Sequence, residues 1–186
     1  MAPKAPTSDL IQLLSPAGLP DLGLGPRPNV LSQARLDEAL KPILLGSALS
    51  ANSRDLIRGV VLLWHDHSDA AHVVAQEIET ADGSFLHAIV HRREPDFANS
   101  RYWFRRTGNH PAFPEIASRA SALFKSRSVA APSAPLIADG NWNPYVFVDL
   151  CQAATGEPSA DPRVRLLREL QGIESEVLLD HLLAPA

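Results

Sequence analysis

Apolar residues recur at helical spacing through most of the chain. Leu31–Leu40 (LSQARLDEAL) has this spacing and is predicted to stop before Pro42. The longest run is Arg54 to Thr80. At ~100° per residue, Ile57, Val60, Val61, Trp64, Ala71, Ala75 and Ile78 fall on one face of it. Asn52 or Ser53 can cap its start, and Ala81-Asp82-Gly83 breaks it. Ser84–Glu94 follows, closed by Pro95. It reads as helix, although FLHAIVH also suits a strand. Asp96 is placed to cap a helix over Phe97–Thr107, with Gly108 at its C-terminal end. Pro114–Lys125 is a further helix. Asn143-Pro144 opens one to Ala154, and Asp161-Pro162 opens the last, to about Leu183, with Gly172 a weak point inside it.

Between these helices the punctuation is proline. The chain has 16 prolines in 186 residues, above the usual ~5%. Residues 1–30 read as an irregular Pro/Gly-rich arm with one short helix at Asp9–Leu14. Residues 126–141 (SRSVAAPSAPLIADGN) read as a linker or surface loop. Six or more helices without a clear hairpin signal predict an all-α fold. It is a single-domain irregular helical bundle over residues 31–186, preceded by the arm.

The formal net charge of −4 and pI near 5.9 argue against a nucleic-acid partner, because phosphate affinity needs a basic surface. One cysteine, Cys151, excludes an internal disulfide, and it falls in an apolar helix as an inert core thiol. No apolar run approaches the ~18 residues of a membrane span, and the first residues lack a signal-peptide layout, so the expected compartment is the cytoplasm. The sequence carries no signal for an oligomeric state.

The unusual residues are concentrated. Six of the seven histidines lie between His65 and His110, and six of the eleven aromatics between Phe85 and Phe113. On the continuous helix expected over 54–80, His65, Asp69, His72 and Gln76 form a stripe beside the apolar face, extended by Arg58. Asp66 and Glu77 are expected to face solvent, and His67 to project towards the apolar side. His87, His91 and Glu94 share one side of the next segment, and His87 and His91 would share a face even in a strand. A short break at 81–83 makes the two segments an antiparallel pair. His72 and His91 then lie ~14–15 Å from the turn, and Asp69 and Glu94 ~18–20 Å from it. Two histidines and two carboxylates would meet, with His87 near Gln76. Imidazole and carboxylate at helical steps of three and four suit a divalent metal, Fe, Mn or Zn. The candidate ligands are Asp69, His72, His91, Glu94, His65 and His87. Neither the Glu-x-x-His pair of di-iron bundles nor His-Glu-x-x-His occurs here.

A second candidate set is basic. Arg92, Arg93, Arg101, Arg105 and Arg106 flank Tyr102, Trp103 and Phe104. Guanidinium forks suit a carboxylate or phosphate. Arg101 and Arg105 stand one turn apart, and with Tyr102 they are the candidate contacts for a small anionic ligand. The alternative is that Arg93 or Arg105 pairs with Glu94, Asp96 or Asp66, and that Trp103 is core. No Gly-x-Ser-x-Gly elbow, phosphate-cradling loop or dinucleotide fingerprint is present.

The run WHDHSDAAH, followed by HAIVHRREPDFANSRYWFRRTGNHP, resembles a family of hypothetical proteins. The resemblance covers about residues 55–113. It implies that this block is a unit and brings no activity or catalytic residue with it. The leading functional expectation is a metal-dependent enzyme acting on a small anionic molecule. The other is a non-catalytic binding or interaction module whose His/Arg cluster is a structural network.

Overall fold

The computed structural model describes residues 6–45, 48–127 and 135–184. It is all-α, with nine α-helices among the described residues and one two-stranded antiparallel ribbon. The helices are α1 (Pro6–Leu14), α2 (Gln33–Leu45), α3 (Ala51–Trp64), α4 (Ser68–Glu77), α5 (Ala81–Arg93), α6 (Phe97–Thr107), α7 (Phe113–Arg127), α8 (Pro144–Ala153) and α9 (Pro162–Leu183). The strands β1 (Ile137–Ala138) and β2 (Asn141–Trp142) pair Ile137 with Trp142. They occupy the end of the expected loop, whose residues 128–134 lie outside the described ones. The loop's first residues, 126 and 127, continue α7.

Most helix starts follow from a side-chain oxygen at the N-cap. Asp96 accepts from the Asn99 amide, Asn143 from Val146, and Asp161 from Arg163 and Val164. α1 starts at Pro6, before the expected Asp9, and α2 at Gln33, after the expected Leu31; three further boundaries differ from expectation. α2 runs through Pro42 to Leu45, because buried Leu36, Leu40 and Leu44, one turn apart, keep the same face on the core. α3 is capped by Ser50, not Asn52 or Ser53; its hydroxyl accepts from Ser53 N at 3.0 Å. α5 is capped by Thr80, so Ala81-Asp82-Gly83 is its first turn and not a break. The reversal occurs at 78–80, tight enough that a Cβ on Gly83 would lie 2.0 Å from the Ile78 carbonyl oxygen.

The largest correction concerns the long helix expected over 54–80. It is two helices, divided at His65-Asp66-His67. Asp66 takes the left-handed conformation at φ +65°. The His67 amide donates to Leu62 O at 2.9 Å, and the Asp66 amide to Leu63 O at 3.1 Å. This is the Schellman ending, with Asp66 where glycine is usual. Its carboxylate is not in solvent. It accepts from Arg27 Nε (2.9 Å), Arg27 N (2.8 Å) and Arg93 Nη2 (2.7 Å). The same two guanidiniums take up carbonyls at the end of α3, Arg27 that of Trp64 and Arg93 that of Leu63. Burial alone would raise the Asp66 carboxyl. The bonds from Arg27 and Arg93 outweigh it and hold the group below the ordinary carboxylate range.

The arm after α1 is fixed through its backbone. Arg27 Nη1 donates to Ala17 O and Leu19 O, Arg168 to Leu19 O and Pro20 O, Gln171 to Asp21 O, and Arg93 to Gly23 O. Gly172, the expected weak point of α9, is where Leu19 packs, 2.7 Å from the place of a Cβ.

α5 is the central helix. Every residue from Gly83 to Arg93 is buried, with α3, α4 and α6 packed around it. In a core helix with five polar side chains, each one left without an internal partner is costly. Arg92, sealed from solvent, donates to Glu174 and lies 4.4 Å over the Phe147 ring. Glu174 also accepts from Trp142 Nε1 at 2.8 Å, pinning the ribbon and α9 to α5. Cys151 is buried nearby, and burial pushes its thiol up to about 12.

Candidate functional site

α4 and α5 form the hairpin that positions the site. With the reversal at 78–80, His72 lies eight residues before Thr80 and is level with Ala88, eight after it. It therefore sits between His87 and His91, which are themselves one turn apart on α5. The imidazole of His72 is 4.7 Å, centroid to centroid, from each of them, and the His87 and His91 rings are stacked at 4.7 Å. One nitrogen from each of the three lies within 4.8 Å of the others, close enough to hold a metal ion. Placing the turn at 81–83 would have put His72 opposite His91 alone, with His87 by Gln76. Gln76 is instead exposed.

Glu94, at the end of α5, bridges two of the rings. Its carboxylate lies 3.2 Å from His72 Nδ1 and 2.9 Å from His91 Nδ1. A carboxylate accepts only, so both Nδ1 atoms carry the protons and both Nε2 atoms keep a lone pair. The Asn99 amide, from α6, donates to the His91 Nε2 lone pair at 3.0 Å, so a metal on that nitrogen would have to displace Asn99. His87 differs. It is buried, it stacks at 3.9 Å on the Trp103 ring, and neither ring nitrogen has a hydrogen-bond partner. Burial, then the neighbouring His91 and His72, push its pKa down to about 3. Burial also lowers His91, against Glu94. His72 is the open edge, with 31% of its side chain exposed.

The other expected ligands lie elsewhere. His65 ends α3, and its ring serves the arm: Leu31 N donates to Nδ1 and Nε2 donates to Leu13 O, both at 3.1 Å. Neither nitrogen has a lone pair left for a metal. The stripe placed His65 with His72 only while the helix was continuous, and the Asp66 ending removes that continuity. Asp69 is exposed on the first turn of α4 and is not among the convergent groups. His67 Nε2 lies 2.8 Å from Leu31 O. Arg58 pairs with Asp37. Asp66, expected in solvent, is the buried partner of Arg27 and Arg93.

The arginines do not gather around the imidazoles. Arg93 pairs with Asp66, which is the alternative the sequence left open, and Arg92 pairs with Glu174. Arg101 reaches α8, to Asp149 and Gln152. Arg105 and Tyr102 are exposed and lie against each other, the guanidinium 5.9 Å from the ring. Arg106 lies 5.4 Å over Trp103.

A second cluster was not foreseen: Asp82 of α5, His110 of the α6–α7 connection and His181 of α9. Both imidazole Nε2 atoms meet Asp82 Oδ1, at 2.8 and 3.0 Å. The Ala112 amide donates to His110 Nδ1 at 3.1 Å. Nδ1 is thus the acceptor and Nε2 carries the proton given to Asp82, so His110 cannot ligate a metal without losing one bond. That bond holds the Asp82 carboxyl below its usual range. The cluster is a clamp across three elements, 28 and 71 residues apart in sequence on its two sides. Helical periodicity relates only neighbours, so no local spacing signalled it. Comparison with family models, with curated proteins and with solved structures finds no match.

Proposed function

We propose that the protein binds a divalent metal, Zn, Fe or Mn, on His72, His87 and His91, and that this centre acts on a small anionic molecule. The observation that carries the reading is His87. A neutral imidazole has one donor and one acceptor, and burying both without partners is costly. Its nitrogens are closed to water yet face two other imidazoles. An ion bonded at ~2.0–2.1 Å needs less room than a water and would use one of those nitrogens. Its depressed pKa keeps the ring free of competing protons. Glu94 supplies the arrangement by which metal-ligating histidines are oriented, a carboxylate on the far nitrogen. Glu94 is then the outer partner of two ligands, not a ligand. Three protein ligands would leave room for an exogenous oxygen on the metal, and His72 is the ring of the three with access to solvent. A metal with an open position polarises a bound oxygen or activates water.

The second reading is a non-catalytic module with a structural polar network. It draws on the arginines, since Arg92, Arg93 and Arg101 are each committed to a carboxylate within the chain. Elemental analysis of untagged protein separates the readings. About one equivalent of metal is expected, lost in His87→Ala and also in His72→Ala, whose half-buried position at the open edge makes it the milder change to the fold. A chelator should lower the Tm of the wild type and leave both variants unchanged. Metal-free wild type, with a chelator-independent Tm after exposure to Zn, Fe and Mn, refutes the centre. A loaded protein without metal-dependent turnover of small anionic esters refutes only the enzyme.

A further inference from the structure

A second place on α4 has the chemistry of a binding site, and it uses none of the three convergent imidazoles. α4 starts at Ser68 without a side-chain cap, because the His67 ring at the N-cap is turned to Leu31 O. The amides of Ser68, Asp69 and Ala70 therefore have no intrahelical acceptor, and they form the positive end of the helix dipole. The Ser68 hydroxyl is a second, independent donor. Ser68 is 7% exposed, and its oxygen, without a hydrogen-bond partner, is closed to solvent and would reach a ligand in the cavity by turning about χ1. All three residues line one cavity of about 500 Å³, with Gly25, Gln33 and Asp66 among its other walls.

Two cations stand behind the Asp66 wall of this cavity without lining it themselves. Asp66 is held by both Arg27 and Arg93, so the three side chains together carry one net positive charge. Asp69 opposes it, but from an exposed position where solvent screens its charge. Three amides and a hydroxyl on one helix end are donors without acceptors, the complement of an anion with several oxygens. The cavity is larger than such an anion and leaves room for a small organic body.

We propose that this cavity binds a tetrahedral oxyanion, free phosphate or the phosphate of a small monoester, on the N-terminus of α4 with the Ser68 hydroxyl as a donor. The site stands without the metal reading. It also supplies an anion contact that the arginines of α6 do not. His72 lies one turn further along the same helix, a rise of ~6 Å.

The test is calorimetric titration of the full chain with inorganic phosphate, glycerol phosphate and acetate, before and after chelator treatment. Saturable phosphate or monoester binding is expected in both states, which keeps this site separable from the metal centre. Ser68→Ala should weaken it about tenfold, as expected for a hydrogen bond to a charged acceptor. Ala70→Glu should abolish it by adding a negative charge beside these amides, at a helix position where glutamate is favoured. Asp69→Asn should tighten it by removing the opposing charge. The proposal is overturned if wild type shows no saturable phosphate or monoester binding, or if Ser68→Ala and Ala70→Glu both bind as wild type does. Preference for acetate overturns the tetrahedral assignment.

Discussion

Replacing Asp66 by asparagine isolates the charge at the end of α3 from everything else there. Asparagine is at least as tolerant of the left-handed conformation as aspartate, so the backbone at φ +65° is not the variable. The side chain keeps its size and loses its charge. The partners are Arg27, with 6% of its side chain exposed, and Arg93, with 1%. Burial already pushes the Arg93 guanidinium down, and Asp66 is the first group that pushes back. Without the carboxylate, two buried cations face each other, and the new amide presents N–H groups to donors. Removing one member of a buried ion pair costs about 3–5 kcal/mol. A domain of this kind has about 5–15 kcal/mol in total, so the variant should lose about a fifth of its stability or more. The assay is urea unfolding followed by circular dichroism, comparing midpoints at unchanged m. The far-UV spectrum of the folded variant should match wild type. A loss below about 1 kcal/mol would refute the reasoning, because the triad would then behave as a solvated pair.

Three other outcomes follow from the same geometry. Glu94→Gln should lower metal affinity about 10- to 100-fold by releasing His72 and His91 from their orientation, read by competition against a metal-sensitive dye. Unchanged affinity would detach Glu94 from the centre. Arg101→Ala removes a pair whose partner Asp149 is 61% exposed. It should cost at most about 1 kcal/mol and leave metal binding unaffected. A larger loss would show that Arg101 does more than join α6 to α8. Burial lowers the pKa of His65 against its bond to Leu13 O. Below about pH 6.5 the unfolded chain takes up a proton that the folded ring resists, so stability should fall as the pH drops through that value. His65→Gln should flatten this part of the stability–pH curve, and a slope unaltered by the substitution would contradict the assignment.

What could be read from the sequence was what depends on near neighbours. Asp96, Asn143 and Asp161 declare their helices because a cap binds an amide two or three residues on. His72 and His91 could be brought together because a hairpin of two helices makes distance from the turn a usable coordinate. Errors arose where a distant group decided a local conformation. Nothing near Asp66 marks the end of α3. The residues that stabilise it are Arg27, in the arm, and Arg93, at the end of α5. The same two arginines explain why the basic cluster misled: Arg93 lies beside the aromatic run in sequence but serves α3 in space. His87 joined the site through a small shift of the turn, which Thr80 makes by capping α5 before Gly83. The clamp of Asp82, His110 and His181 needed the tertiary fold itself.

The arm between α1 and α2 is gripped by arginine and glutamine side chains acting on its carbonyl oxygens. Carbonyls are the same in every residue, so the path of this segment is written largely in Arg27, Arg93, Arg168 and Gln171, and within residues 17–24 in Gly18, Leu19 and Pro20. A saturation scan should therefore find an inverted pattern of tolerance. Ala17 and Gly23 should accept many replacements that keep the backbone route, while the four gripping side chains and buried Pro20 accept few. The segment that looks least conventional in composition would be the freest to drift, provided that residues up to about 150 positions away hold still.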